Sequence, residues 1–177
     1  VVGAPVGEYA VDPDILAALQ SNPAQYRAGI LGPDAYPDIF TGQQVIHPGE
    51  DLTGTPQGSE AWLSYLWEQS TLAGNNTLPI RAFTTGYLTH AAGDMFGHTF
   101  INQFTGGDFA ITPPAGPANA IKHVVLEGYL DKRMVTSHLG ADAFDVSIGG
   151  GVDGFIYRSL VDARSDFYLG ANLLREG

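Results

Sequence analysis

The chain has 177 residues, 44% of them hydrophobic and only 15% charged. That is enough apolar chain to build one real core, and it excludes an intrinsically disordered protein. The formal net charge is −11, from 8 Lys+Arg against 19 Asp+Glu, which opposes direct binding to nucleic acid or an anionic membrane unless cations intervene. There is no cysteine, so disulfides and thiolate zinc sites are excluded, and any metal must be held by His, Asp and Glu.

No apolar run reaches the roughly 18 residues that a membrane span needs. The opening VVGAPVGEYAVDPD has neither the basic start nor the apolar stretch of a signal peptide. Residues 1–12 read as extended. Asp12-Pro13 is a helix-start signal ahead of DILAALQ, because proline tolerates the first helical turn. Ser21-Asn22-Pro23 interrupts that helix and starts another over AQYRAGIL. Residues 32–58 are dense in Gly, Pro and Asp and read as a long loop, which their Tyr, Ile, Phe and Val argue is ordered.

Residues 59–74 place Trp62, Leu63, Leu66 and Trp67 at helical spacing, with Gly74 as the stop. Residues 78–104 form a long apolar helix, 105–116 a Gly/Pro loop, and 117–136 a further helix opened by Pro117. After the loop Gly149-Gly150-Gly151, the run GFIYRSLVDARSDFYLGANLL reads as one or two short helices. β-alternation is scarce. The expected architecture is all-α, a single domain over 1–177 with long ordered loops. Asn75-Asn76-Thr77 matches the glycosylation sequon, a match that chance often supplies.

Within the long helix, GYLTHAAGDMFGHTF carries His90, Asp94 and His98, each four residues from the next. Residues four apart are neighbours on one helix face, so His90 with Asp94, or Asp94 with His98, can share an ion. Eight residues span about 12 Å along the axis. Zinc needs each nitrogen at about 2.0–2.1 Å, so if His90 and His98 are both ligands they serve different ions, and Asp94 has two oxygens with which to bridge. His123 and Glu127, in HVVLE, are again four apart and are candidates to meet His98 across a helix pair. Such a set of three leaves an open fourth position, as catalytic zinc sites do. Asp34 and Asp38 in GPDAYPD and His47 in VIHPG can complete the other end. A His–Asp pair four apart also steadies a helix without a metal. On an otherwise apolar helix, however, an unpaired buried Asp is costly and a dication removes that cost. His138 reads as an ordinary core or surface histidine. Gly93 and Gly97, beside Ala91 and Ala92, leave room for a neighbouring backbone or for a metal cluster.

The ordered set GPD, His47, HAAGDMFGH and HVVLE, over residues 34–127, resembles the bacterial zinc-dependent phospholipase C family, itself related to the fungal zinc-dependent single-strand nucleases. The resemblance implies an all-α helical bundle around a zinc cluster. It implies Asp34, His47, His90 and Asp94 as ligands of one zinc, with Asp94 bridging to a second, and His98, His123 and Glu127 as ligands of another. Asp34 fits the family's first carboxylate better than Asp38, which stays the second candidate for that place or a hydrogen-bonding partner behind a ligand. The family holds a third zinc through its N-terminal residue and an early histidine. This chain has no histidine before His47 and begins with Val1, not the family's tryptophan. Either those ligands lie upstream of Val1, or the chain binds two zincs.

The function so implied is zinc-dependent hydrolysis of a phosphodiester, with a phospholipid head group as substrate, Asp34 as candidate general base, and a secreted location. Peripheral membrane contact fits, and no stable nucleic-acid complex is expected. Tyr36, Phe40, Trp62 and Trp67 are candidate pocket walls, although core packing also suits the tryptophans. The alternatives are a single-strand-specific zinc nuclease, which needs stacking platforms and a basic track, and a non-catalytic, metal-stabilised binding or assembly domain. Residues 131–177 carry no motif.

Overall fold

The structure is a computed structural model and describes residues 12–32, 59–107, 116–134 and 140–161. The expectations for an extended start, for most of the 32–58 loop, for the centre of the 105–116 loop and for the chain after 161 lie outside the described residues. Every described element is helical: α1 (Pro13–Ser21), α2 (Pro23–Leu31), α3 (Ser59–Thr71), α4 (Leu78–Thr105), α5 (Gly116–Asp131), a 3-10 turn (Ala141–Phe144), and α6 (Val152–Ile156) running into a π-turn (Tyr157–Val161). No strand occurs among the described residues. The all-α expectation therefore holds at this level.

Local chemistry accounts for the ends. The Asp12 carboxylate accepts from the Asp14 and Ile15 N–H groups at 2.8 and 3.4 Å, and Pro13 follows in the first turn. Capping of this kind satisfies donors that no helical carbonyl reaches. Asn22 closes α1 by donating to the Ala18 carbonyl from both its main-chain and side-chain nitrogens, at 3.0 and 3.2 Å. Pro23 then opens α2. α5 stops at Asp131, short of the expected 136. There the Arg133 N–H tightens onto the Leu130 carbonyl at 2.8 Å, and the Arg133 guanidinium stacks on the Tyr129 ring at 4.7 Å. α6 begins at Val152, directly after Gly150 and Gly151, whose φ of 75° and 88° are cheap only for glycine.

The described residues form two compact units. The first comprises 12–32, 59–90 and 144–161. Its core holds Ala28, Leu66, Ile80, Phe83, Tyr87, Val152 and Phe155, with Leu63, Tyr65 and Ile156 packed against it. The Phe83 and Phe155 rings meet edge-to-face at 6.4 Å, a favoured geometry for aromatic pairs. α2 crosses α4 at two glycines: a Cβ on Gly29 would lie 2.0 Å from the Phe83 carbonyl oxygen, and one on Gly86 would lie 2.1 Å from that of Tyr26. Only bare backbones can approach this closely. Asn75 ties the turn after α3 into this unit, donating to the Gln69 carbonyl at 3.0 Å and accepting from Arg158 at 2.8 Å. Both ends of the sequon asparagine's amide are thus occupied.

The second unit comprises 91–107, 116–134 and 140–143, and is built on the rest of α4 with α5. Ile101, Thr105, Ala120 and His123 are its buried side chains. The Asn119 side chain donates to the Gly106 carbonyl at 3.2 Å, pinning the end of α4 to α5.

Candidate metal centre

In the second unit, α4 is amphipathic in the reverse sense. The stripe Asp94, His98, Ile101, Asn102 and Thr105 is buried or half-buried. Phe96, Phe100 and Phe104 are 84%, 50% and 65% exposed, and Met95 is exposed as well. An ordinary surface helix turns its apolar face inward. Here the inward stripe carries the ionisable groups.

α5 answers with a matching face. Ala120 and His123 are buried, and Leu126, Glu127 and Leu130 are half-buried, at the 3–4 spacing of one helix side. The His98 and His123 rings meet edge-to-face with centroids 4.8 Å apart. The His123 Nε2 donates to the Glu127 Oε1 at 2.9 Å, and the His98 Nε2 lies 3.6 Å from the same oxygen. One ligand atom from each of His98, His123 and Glu127 falls within 4.8 Å of the other two. Tetrahedral zinc with bonds of 2.0–2.2 Å sets its donors about 3.4 Å apart. The observed 2.9 and 3.6 Å bracket that spacing. Two imidazoles and a carboxylate are also the donor types that zinc accepts without thiolates. The three residues fit the ion, and the structure brings together the set that the sequence had paired across two helices.

No family model, curated protein or solved structure matches the chain.

The other candidate ligands have different standings. Asp34, Asp38 and His47 lie outside the described residues, as do Tyr36, Phe40 and His138. Asp94 is half-buried on the same stripe of α4 as His98. His90 belongs to the first unit, where its Nδ1 sits 2.8 Å from the Ile30 carbonyl oxygen at the end of α2. A carbonyl oxygen only accepts, so Nδ1 donates. Sequence reasoning missed this contact, because a main-chain carbonyl leaves no residue-type signal.

Trp67 is half-buried and lines a shallow open depression with Leu63, Ser64, Glu68 and Leu88. It is a wall rather than a core residue, but the depression holds none of the described candidate ligands. Gly93 and Gly97 have no neighbour within 4 Å of an added Cβ among the described residues. The expectation of a close neighbouring backbone at these two glycines therefore fails for the described residues. The close approach occurs about two turns before Gly93, at Gly86.

Proposed function

We propose that the chain is a zinc-dependent phosphodiester hydrolase of the phospholipase C type, releasing a phosphorylated head group from a phospholipid. The observation that carries this reading is the convergence of His98, His123 and Glu127 from two helices onto one point. His98 and His123 would hold zinc through ring nitrogens and Glu127 through a carboxylate oxygen, leaving a fourth position for substrate or water. Zinc at such a site acts as a Lewis acid toward phosphoryl oxygens and lowers the pKa of bound water towards neutrality. On the same reading Asp34, His47, His90 and Asp94 serve a second ion, and Asp34 is the general base that takes a proton from the attacking water. Attack of water on phosphorus then displaces the diacylglycerol alcohol.

Three features support a lipid over a nucleic acid. His98 is flanked on its helix by the exposed Phe96 and Phe100, an apolar setting for a charged centre. A shallow groove of the second unit is lined by Phe104, Thr105, Lys122, Val125, Leu126 and Tyr129, apolar but for one ammonium group and two hydroxyls. With 8 Lys+Arg against 19 Asp+Glu, the chain is poor in the basic track that single strands require. No described helix is long and apolar enough to cross a membrane, so any membrane contact made by these helices is peripheral.

The test is head-group release from phosphatidylcholine by zinc-loaded protein, run beside nucleotide release from single-stranded DNA. Phosphocholine release that stops on chelation is expected. Nucleotide release alone would assign the chain to the nuclease alternative. Neither product from zinc-replete protein would leave a metal-stabilised binding domain.

A further inference from the structure

We infer that one face of the α4–α5 pair docks the protein onto a bilayer surface bearing anionic head groups. The face is made by Phe96, Phe100 and Phe104 of α4 and by Lys122, Val125 and Tyr129 of α5. It names the surface that the phospholipid reading requires and rests on that reading, but no metal ligand takes part in it.

Helix periodicity builds the face. Phe96, Phe100 and Phe104 are four residues apart and form one ridge along α4, with the Phe100 and Phe104 ring centroids 5.0 Å apart. Lys122, Val125 and Tyr129, spaced by three and four, form a ridge along α5. The two ridges are neighbours, because Phe104 lines one groove together with Lys122, Val125 and Tyr129. All six side chains are exposed. Single exposed apolar residues are ordinary, but a contiguous patch marks an interaction site.

Charge selects the partner. Arg133, just past the end of α5, stacks on the Tyr129 ring at 4.7 Å, so the α5 ridge carries a cation at each end. Neither Lys122 nor Arg133 makes an ion pair among the described residues. No carboxylate belongs to either ridge. Asp94 and Glu127 are half-buried on the inward stripes, and Asp131 is about 200° from Tyr129 around the helix. An apolar centre with tyrosine and cations at its rim is the pattern of a helix lying in a membrane interface. There the long basic side chains reach head-group phosphates while their stems stay on apolar surface. A second copy of the chain is a poorer partner, since two such faces would bring cations together with no carboxylate between them. The formal charge of −11 does not forbid docking. Exposed charges more than about 10 Å away are largely screened at 0.1 M salt, so the cations of the face itself dominate.

Co-sedimentation of the full, metal-free chain with vesicles separates docking from catalysis. Vesicles of phosphatidylcholine alone are compared with vesicles of equal parts phosphatidylcholine and phosphatidylserine. Binding to the mixed vesicles that weakens as salt rises, and weaker binding to phosphatidylcholine alone, is expected. Lys122→Gln and Arg133→Gln should each weaken binding to the mixed vesicles about 5-fold. The double variant Phe100→Ser/Phe104→Ser should weaken binding to both kinds of vesicle, with its far-ultraviolet circular dichroism unchanged. No binding to mixed vesicles, or binding that none of these variants reduces, overturns the inference. A dimer in sedimentation velocity that the double variant dissociates assigns the face to a second copy, and also overturns it. Vesicle binding without head-group release from zinc-loaded protein sinks the hydrolase reading and leaves the docking face standing. Release from a dispersed short-chain phospholipid without vesicle binding does the reverse.

Discussion

The His123 Nε2 and the Glu127 Oε1 lie 2.9 Å apart, one turn from each other on α5, and the His98 Nε2 of α4 approaches the same oxygen at 3.6 Å. Without a metal this is a hydrogen-bonded pair with a third donor close by. With a metal it is a ligand set that needs only small side-chain shifts. On the proposed zinc reading folding and metal binding would be coupled, because either the fold or the ion can hold the three groups together.

Zinc should stabilise the fold by mass action. At a free concentration about 100 times Kd the gain is about 2.7 kcal/mol. Glu127→Gln retains shape and hydrogen bonding but replaces a carboxylate with a weak amide ligand. Calorimetric unfolding with and without zinc should show the gain in the parent and its loss in Glu127→Gln. The parent's gain should also shrink as pH falls, since protonated imidazoles do not bind metal.

Gly86→Ala should destabilise the protein by about 1–3 kcal/mol, because the new methyl meets the Tyr26 carbonyl and forces the helices apart. Gly93→Ala and Gly97→Ala have open space and should instead gain up to about 1 kcal/mol each from helix propensity. Urea unfolding of the three variants checks both signs.

Burial raises the Tyr65 phenol above its ordinary 10.0. The folded state therefore keeps this proton to higher pH than the unfolded chain does. The associated stability is fully present below the unfolded-state value and is lost as pH rises through the folded-state value. Tyr65→Phe should flatten the fall in urea midpoint between about pH 9 and 11.

Phe96→Ser and Phe100→Ser replace exposed rings and should change stability by less than about 0.5 kcal/mol each. If these rings meet a lipid surface, the double variant should lose head-group release from vesicles at least several-fold. Its kcat/KM on a soluble phosphodiester should be unchanged. Equal loss on both substrates would remove the lipid role from this face.

Much of the architecture was legible because it rests on local chemistry. Asp12-Pro13 and Asn22-Pro23 mark helix ends through capping and backbone permissiveness, and α4 appeared within one residue of its observed end, whereas α3 stops at Thr71, three residues before the expected stop at Gly74. The four-residue spacing of His90, Asp94 and His98, and again of His123 and Glu127, marked the faces, and a helix pair was the simplest way to join His98 to the second pair. Tertiary matters were less readable. α4 is apolar on most sides, so hydrophobicity alone does not say that Phe96 and Phe100 face outward while Asp94 and His98 face inward. The glycines show the same gap. Gly86, Gly93 and Gly97 look alike in sequence, and only the crossing with Gly29 distinguishes Gly86. The Ile30 carbonyl left no trace, since every residue has one. The end of α5 was overshot because Lys132, Arg133 and Met134 are good helix formers, whereas the chain there tightens onto Leu130.

Zinc retained per chain after equilibrium dialysis, in the parent and in His98→Ala, tests the central claim most directly. The expected result is two or three zincs in the parent and at least one fewer in His98→Ala, with the metal-free fold intact in both. A folded parent that retains less than one zinc, or a His98→Ala variant that retains as much as the parent, would contradict a metal centre built on His98, His123 and Glu127.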